Sequence, residues 1–236
     1  MVIITGATGG IAKPLAEKII LSEMACCAVV RNVERLNKST FSLCSSKLTI
    51  TDYQIDSFIK LLSGIDKSQI LNIILVLNAF DIHPIKMAEK LTSGDITKNV
   101  EFNIIKQIEI VNKAWELAAH TATPLRIVNL DSGAAYRPIS GWSMYCAGKA
   151  YINMFLKVFS QENEVPLVLY DPGIVNTKMQ EEIRSTNIQD FPSVEVFRNY
   201  YLSKKLNSPI DVAEDILTRY IIDWTAVELC EGYADR

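Results

Sequence analysis

Short, uniformly apolar stretches alternate along this chain with longer ones whose apolar positions recur every three to four residues. The short stretches are β-branched or Leu-rich with no polar face, the pattern of parallel strands covered on both sides. Strands are predicted at Met1–Thr5, Cys26–Arg31, Leu48–Ile50, Ile70–Leu77, Leu125–Asp131 and Pro166–Tyr170, with a short last one around Val227–Tyr233. The periodic stretches predict helices over Lys13–Leu21, Ile55–Ser63, Asn99–His120, Ser143–Glu162 and Ile210–Trp224. Strand and helix taking turns in this way implies an α/β fold, a doubly wound parallel sheet flanked by helices, as a single domain over residues 1–236. One stretch, about 176–208, is polar, contains Pro192 and has no clear period. It follows the sixth strand and so lies over the carboxyl edge of the sheet, where ligands bind in open α/β folds. It reads as a segment that closes over substrate, with a plain helical insertion as the alternative.

Composition narrows the function classes. About half of the residues are apolar (49%) and the net charge is only -3. A sizeable core can form, and neither nucleic acid nor an anionic membrane is an expected partner. Lys and Arg are dispersed apart from Lys204-Lys205. The most apolar segment, Ile70–Phe80, is interrupted by Asn72 and Asn78 and is too short for a membrane span. The chain opens Met-Val-Ile-Ile-Thr-Gly, already strand and turn, so no signal peptide is expected. Five cysteines without metal-ligand spacing read as reduced thiols of a cytoplasmic protein, and His83 and His120 are isolated, so no metal is expected.

Two motifs carry chemistry. Thr5-Gly-Ala-Thr-Gly-Gly-Ile-Ala12 follows the first strand and opens the first helix. Glycines let the backbone approach a pyrophosphate and the helix N-terminus favours its charge, so Gly6, Thr8, Gly9, Gly10 and Ile11 are candidate cofactor contacts. Ala12 stands where a third Gly is usual, and Gly6–Gly10 and Gly6–Gly9 fit two different dinucleotide patterns. Arg31-Asn32 after the second strand offers a cation where an acidic residue would hold a ribose. That favours NADP through its 2′-phosphate, with NAD still possible.

The second motif is the stretch from Ser132 to Lys149. Tyr145 and Lys149 are four residues apart and share one helix face. The ammonium is expected to pull the Tyr145 pKa below its ordinary value of about 10. Ser132, arriving from a strand end, can hydrogen-bond the same substrate oxygen, an arrangement suited to proton transfer to a carbonyl. Tyr201 and Lys205 repeat the Tyr-x-x-x-Lys spacing, but Ile188 stands where Tyr145 has Ser132.

With these residues the chain resembles the short-chain dehydrogenase/reductase family over essentially its full length. The resemblance implies a Rossmann-type sheet, carbonyl reduction with NADP (or NAD), and a small-molecule ketone or diketone as substrate. Tyr145 would be the general acid, Lys149 would stabilise the phenolate and hold the nicotinamide ribose, and Ser132 would orient the substrate carbonyl. Asn103 matches the fourth catalytic residue and would hold a water linking Lys149 to solvent. In Asp171-Pro-Gly-Ile-Val-Asn-Thr177, Pro172, Gly173, Val175 and Thr177 match the loop at the nicotinamide end. Gly141-Trp-Ser-Met-Tyr-Cys-Ala-Gly-Lys-Ala150 is most similar to sepiapterin and benzil reductases. Trp142, Tyr136 and Met179 would line an aromatic, apolar substrate cavity, and Glu231 (or Asp235) would take the place of the acidic residue that holds a pterin. Asn99–His120 and Ser143–Glu162 would pair with a second copy in a homodimer or homotetramer.

Departures fall at the cofactor. The Asn-Asn-Ala-Gly motif after the fourth strand survives as Leu77-Asn78-Ala79-Phe80, so Asn78 and Ala79 remain while Phe80 crowds the cofactor's approach. Thr49, followed by Ile50, stands where an acidic residue usually holds the adenine. These changes keep open a non-catalytic NAD(P)-binding regulator. The Gly6–Gly9 spacing also admits a nucleotide-sugar epimerase or dehydratase, which usually needs a larger C-terminal substrate domain.

Overall fold

The computed structural model describes residues 1–31, 33, 48–53, 56, 60, 70–224 and 230–232. The strands are β1 (Val2–Thr5), β2 (Cys26–Val30), β3 (Leu48–Asp52), β4 (Ile73–Leu77), β5 (Leu125–Leu130), β6 (Leu167–Asp171) and β7 (Cys230–Gly232). They form a parallel sheet in the order β3-β2-β1-β4-β5-β6-β7. Successive residues of each strand point to opposite faces, and both faces are covered. Ile3, Val29, Leu75, Ile127 and Leu169 belong to one core, and Ile4, Ala28, Val76, Val128 and Tyr170 to the other.

The helices divide in the same way. α1 (Ala12–Leu21) and α7 (Pro209–Ile216) cover one face through Leu15, Ile19, Val212 and Ile216. α3 (Lys106–Thr121) and α4 (Ser143–Asn163) cover the other through Ile110, Ala114, Ile152 and Leu156. The expected doubly wound Rossmann-type sheet is therefore observed. The order in which strands are added reverses between β1 and β4, which opens a crevice at their carboxyl ends.

The helical segments depart from expectation in two places. The long helix expected from Asn99 begins earlier, as α2 (Ser93–Val100), because Thr92 and Asp95 cap each other's backbone N–H groups. It then widens into a π-helical stretch at Glu101–Ile105 before α3. Segment 176–208 is largely helical: α5 (Lys178–Ser185) and α6 (Val194–Leu202) bury Ile183, Phe191 and Val194 on the α4 side of the core. Each piece is too short to show a period, and tertiary packing supplies what local pattern lacks. The ends of the segment meet, as Asn207 donates its N–H to Ile174 O at 2.8 Å and accepts from Asn176 N at 2.9 Å. Most of the helix expected over 55–63 lies outside the described residues, as do Asn32 and Asp235. No helix among the described residues is long and apolar enough to cross a membrane.

Candidate active site

The crevice is a cleft of about 920 Å³ that runs from the turn after β1 to α5 and α6. Thr5 joins its two central turns. Its hydroxyl accepts the N–H groups of Asn78 and Ala79, both at 3.0 Å, while Asn78 Nδ2 donates to Thr5 O at 3.1 Å. This lock requires glycine next door: Gly6 has φ +69°, and a Cβ there would lie 3.0 Å from Ala79 Cβ and from Asn78 Nδ2. A Cβ at Gly9 would meet nothing within 4 Å, and α1 begins at Ile11 with no side-chain cap and no acidic residue in its first turn. Within this turn the Lys13 N–H is spent on Gly9 O at 3.3 Å and Pro14 has none, so the open glycine backbone at the start of α1 is what suits the pyrophosphate of a dinucleotide. Thr8, Gly10 and Ile11 line the same turn.

On the adenosine side the structure rearranges the expected contacts. Arg31 lines the cleft, but its guanidinium pairs with Asp81 at 3.1 Å and lies 4.3 Å from the centre of the Phe102 ring. Asp81 also receives the His83 N–H at 3.0 Å and the His83 ring at 2.9 Å. Thr49 and Ile50 do not reach the cleft. They pair with Cys27 and Ala28 in mid-strand, because β3 continues to Asp52, two residues beyond its expected end. Tyr53 is the residue that emerges at the edge and lines the cleft, packed edge-on against Phe102 at 5.3 Å. No local signal announced this, since Asp52 breaks the apolar–polar alternation of Leu48-Thr49-Ile50-Thr51 before Tyr53.

At the other end, Ser132 leaves β5 in extended conformation and its hydroxyl accepts the Ala134 N–H at 3.2 Å, capping a short turn. The same hydroxyl stands beside the Tyr145 phenol and opposes the rise of its pKa. Lys149, one turn further along α4, donates to Leu130 O at 2.5 Å and is almost fully buried. Burial decides the titration of both groups. It pushes the Tyr145 phenol up to about 12, against the lowering effect of the Ser132 hydroxyl, with Asp171 and Asp131 adding to the rise. It brings Lys149 down to about 8, opposed by Asp131 and Asp171. The expected lowering of Tyr145 by Lys149 is therefore not seen; desolvation outweighs it.

Asn103 lies in the π-helical stretch and does not face the cleft. Its side chain is fully buried and holds the backbone of Asp81 from both sides, accepting the N–H at 2.7 Å and donating to the carbonyl at 2.8 Å. Behind Lys149, Asn153 donates to Asp131 at 2.7 Å and accepts from Asn129 at 3.0 Å. Tyr136 turns away from the cleft and donates to Asp131 at 2.7 Å. Trp142 stacks on Phe191 at 4.7 Å and meets Tyr145 at 5.4 Å, so an aromatic wall stands beside the phenol. Met179, Phe197 and Tyr200 continue it. Pro172, Gly173, Val175 and Thr177 line the cleft between this wall and α1. Glu231 pairs through its backbone with Tyr170, and its side chain lies outside the described residues. The second Tyr-x-x-x-Lys pair is elsewhere: Tyr201 ends α6 half-exposed beneath the Arg184 guanidinium, and Lys205 is exposed beyond it.

Known proteins share both the sequence pattern and the fold. Residues 1–188 match the short chain dehydrogenase family. The chain belongs to that family. Among its relatives is a benzil reductase ((S)-benzoin forming) of Bacillus subtilis (strain 168), 30% identical over 92% of this chain and 91% of the relative. A sepiapterin reductase of Rattus norvegicus is 32% identical over 41% of this chain and 43% of its own length. The crystal structure of a short-chain dehydrogenase/reductase from Saccharomyces cerevisiae superposes with a TM-score of 0.78 at 22% identity, covering 98% of this chain and 95% of that one. The family's fold thus extends through the part of the chain beyond residue 188.

Proposed function

We propose that the protein is an NADP-dependent reductase of a ketone or diketone, with Tyr145 as general acid. The observation that carries this reading is that Ser132, Tyr145 and, on the next turn, Lys149 line one cleft with the glycine turn at the start of α1. NADPH supplies the hydride when bound along that cleft. Ser132 orients the substrate carbonyl and Tyr145 delivers a proton to its oxygen. The raised Tyr145 pKa keeps the phenol protonated at neutral pH, as a donor must be. Lys149 stabilises the phenolate left behind and holds the nicotinamide ribose. Asn103 acts at one remove, fixing the Asp81 backbone at the cleft rather than holding a water with its own side chain. Trp142 and Met179 face the substrate with Phe197, and an aromatic, apolar wall suits a diaryl diketone such as benzil.

Arg31 is the group offered to a 2′-phosphate, which would have to share it with Asp81. Tyr151, Met154 and Val158 are exposed on the outer face of α4, which supports a homodimer through that helix. The deciding experiment is oxidation of NADPH and NADH by the purified protein with benzil, sepiapterin and a simple aldehyde. Turnover with benzil or sepiapterin, faster with NADPH, is expected. The regulator reading draws on Phe80 and the Arg31–Asp81 pair; a cofactor-induced thermal shift without turnover would favour it.

A further inference from the structure

The face of the Phe80 ring lies 4.1 Å, centre to nitrogen, from the Lys149 ammonium. Its edge meets the Tyr145 ring at 5.5 Å and 83°. The far end of the ring presses on α4 at Gly148, where a Cβ would come within 3.0 Å of Phe80 Cζ and 3.4 Å of Cε1. Gly148 has ordinary helical backbone, and alanine is otherwise the better residue inside a helix. What glycine provides there is room for the ring.

An ammonium buried this deeply has lost its water, and the negative face of an aromatic ring restores part of that interaction. Asp131 faces Lys149 from the end of β5, Asp171 from the end of β6, and Tyr145 from its own helix. From the β4 side it meets the Phe80 ring. We propose that Phe80 is a positioning residue matched to Gly148: the ring holds the Lys149 ammonium against the Leu130 carbonyl and favours its charged form, and Gly148 lets the ring reach it. The inference rests on the reading of Lys149 as the partner of Tyr145 in carbonyl reduction.

Two measurements need neither cofactor nor substrate, which separates this inference from that reading. The first follows Lys149 by NMR in protein labelled with ¹³C-lysine, assigned with a Lys149→Met variant. Phe80→Leu should lower the Lys149 pKa by about one unit, as expected for loss of a desolvated cation–π contact. Phe80→Met, which refills the volume without a ring, should do the same if the Leu variant does not fold. The second is a thermal-unfolding cycle. Gly148→Ala should lower the Tm by several degrees in the wild-type background and should not lower it beside Phe80→Leu. An unmoved Lys149 titration, or a strictly additive cycle, would overturn the proposal. In steady state the alkaline limb of kcat should move down with the Lys149 pKa while the KM for the carbonyl holds. A limb that stays in place would reduce Phe80 to packing and overturn it too. Absence of turnover by the wild-type protein would remove the reductase reading and leave the titration and the cycle to decide on Phe80.

Discussion

The two halves of the cleft hold their charges differently. In the nucleotide half, Arg31 and Asp81 are paired at the surface, the arginine side chain 61% exposed, where solvent screens the pair. In the half proposed for proton transfer, Lys149 and Tyr145 are buried, Lys149 against the Leu130 carbonyl, and their titration is displaced in opposite directions by desolvation. A solvated pair can exchange partners at little cost when a phosphate arrives. A buried acid and ammonium keep their geometry because nothing else there can satisfy them.

Changes in the proton-transfer half should therefore dominate. Tyr145→Phe should lower kcat for carbonyl reduction by about a thousandfold or more while cofactor binding, followed by fluorescence titration, is kept. Retained turnover would break the assignment of the acid. The glycines of the two halves offer a structural counterpart. Gly141 has φ +85°, and a Cβ there would lie 2.4 Å from Asp190 O. Gly141→Ala should destabilise by about 3–5 kcal/mol in denaturant unfolding, against about 2–3 kcal/mol for Gly6→Ala, whose nearest contacts are side chains as well as backbone.

Lys149→Met sharpens the contrast, because it should lose activity and gain stability. Folding lowers the Lys149 pKa from 10.5 to about 8, so the folded state holds that proton less tightly than the unfolded chain. The penalty is complete below about pH 8 and fades as the pH rises through 10.5. Removing the ammonium should add on the order of 2–3 kcal/mol at pH 7, shrinking toward zero near pH 10.5. Equal stability of variant and wild type at both pH values would show that burial is compensated. The smallest effect belongs to the nucleotide half. Asp81→Asn frees Arg31 and should tighten NADPH binding by about threefold to fivefold with NADH unchanged, as for a surface ion pair. Equal tightening of both cofactors would remove Arg31 from 2′-phosphate recognition.

Local pattern was enough for the sheet and for expecting Ser132, Tyr145 and Lys149 at one place. Short, uniformly apolar runs state which segments lie inside, and the spacing of Ser132, Tyr145 and Lys149 is set by a strand end and one helix. The nucleotide half was less legible. β3 ran past its expected end because Thr51 and Asp52 pair with Val29 and Val30 in a register no local signal announces, which moved the edge residue from Thr49 to Tyr53.

The order of apolar and polar residues by itself determined the α/β architecture, the glycine turn and the Tyr145–Lys149 helix face, since each depends on neighbours within a few turns. Only the tertiary structure decided the charge states and partners. Tyr145 is raised rather than lowered because burial is a property of the assembled core. Arg31 is held by Asp81, Asn103 by the Asp81 backbone, and Lys149 by Phe80 across Gly148, because the parallel sheet brings the segments after β2 and β4 and the helices packed on it to one edge.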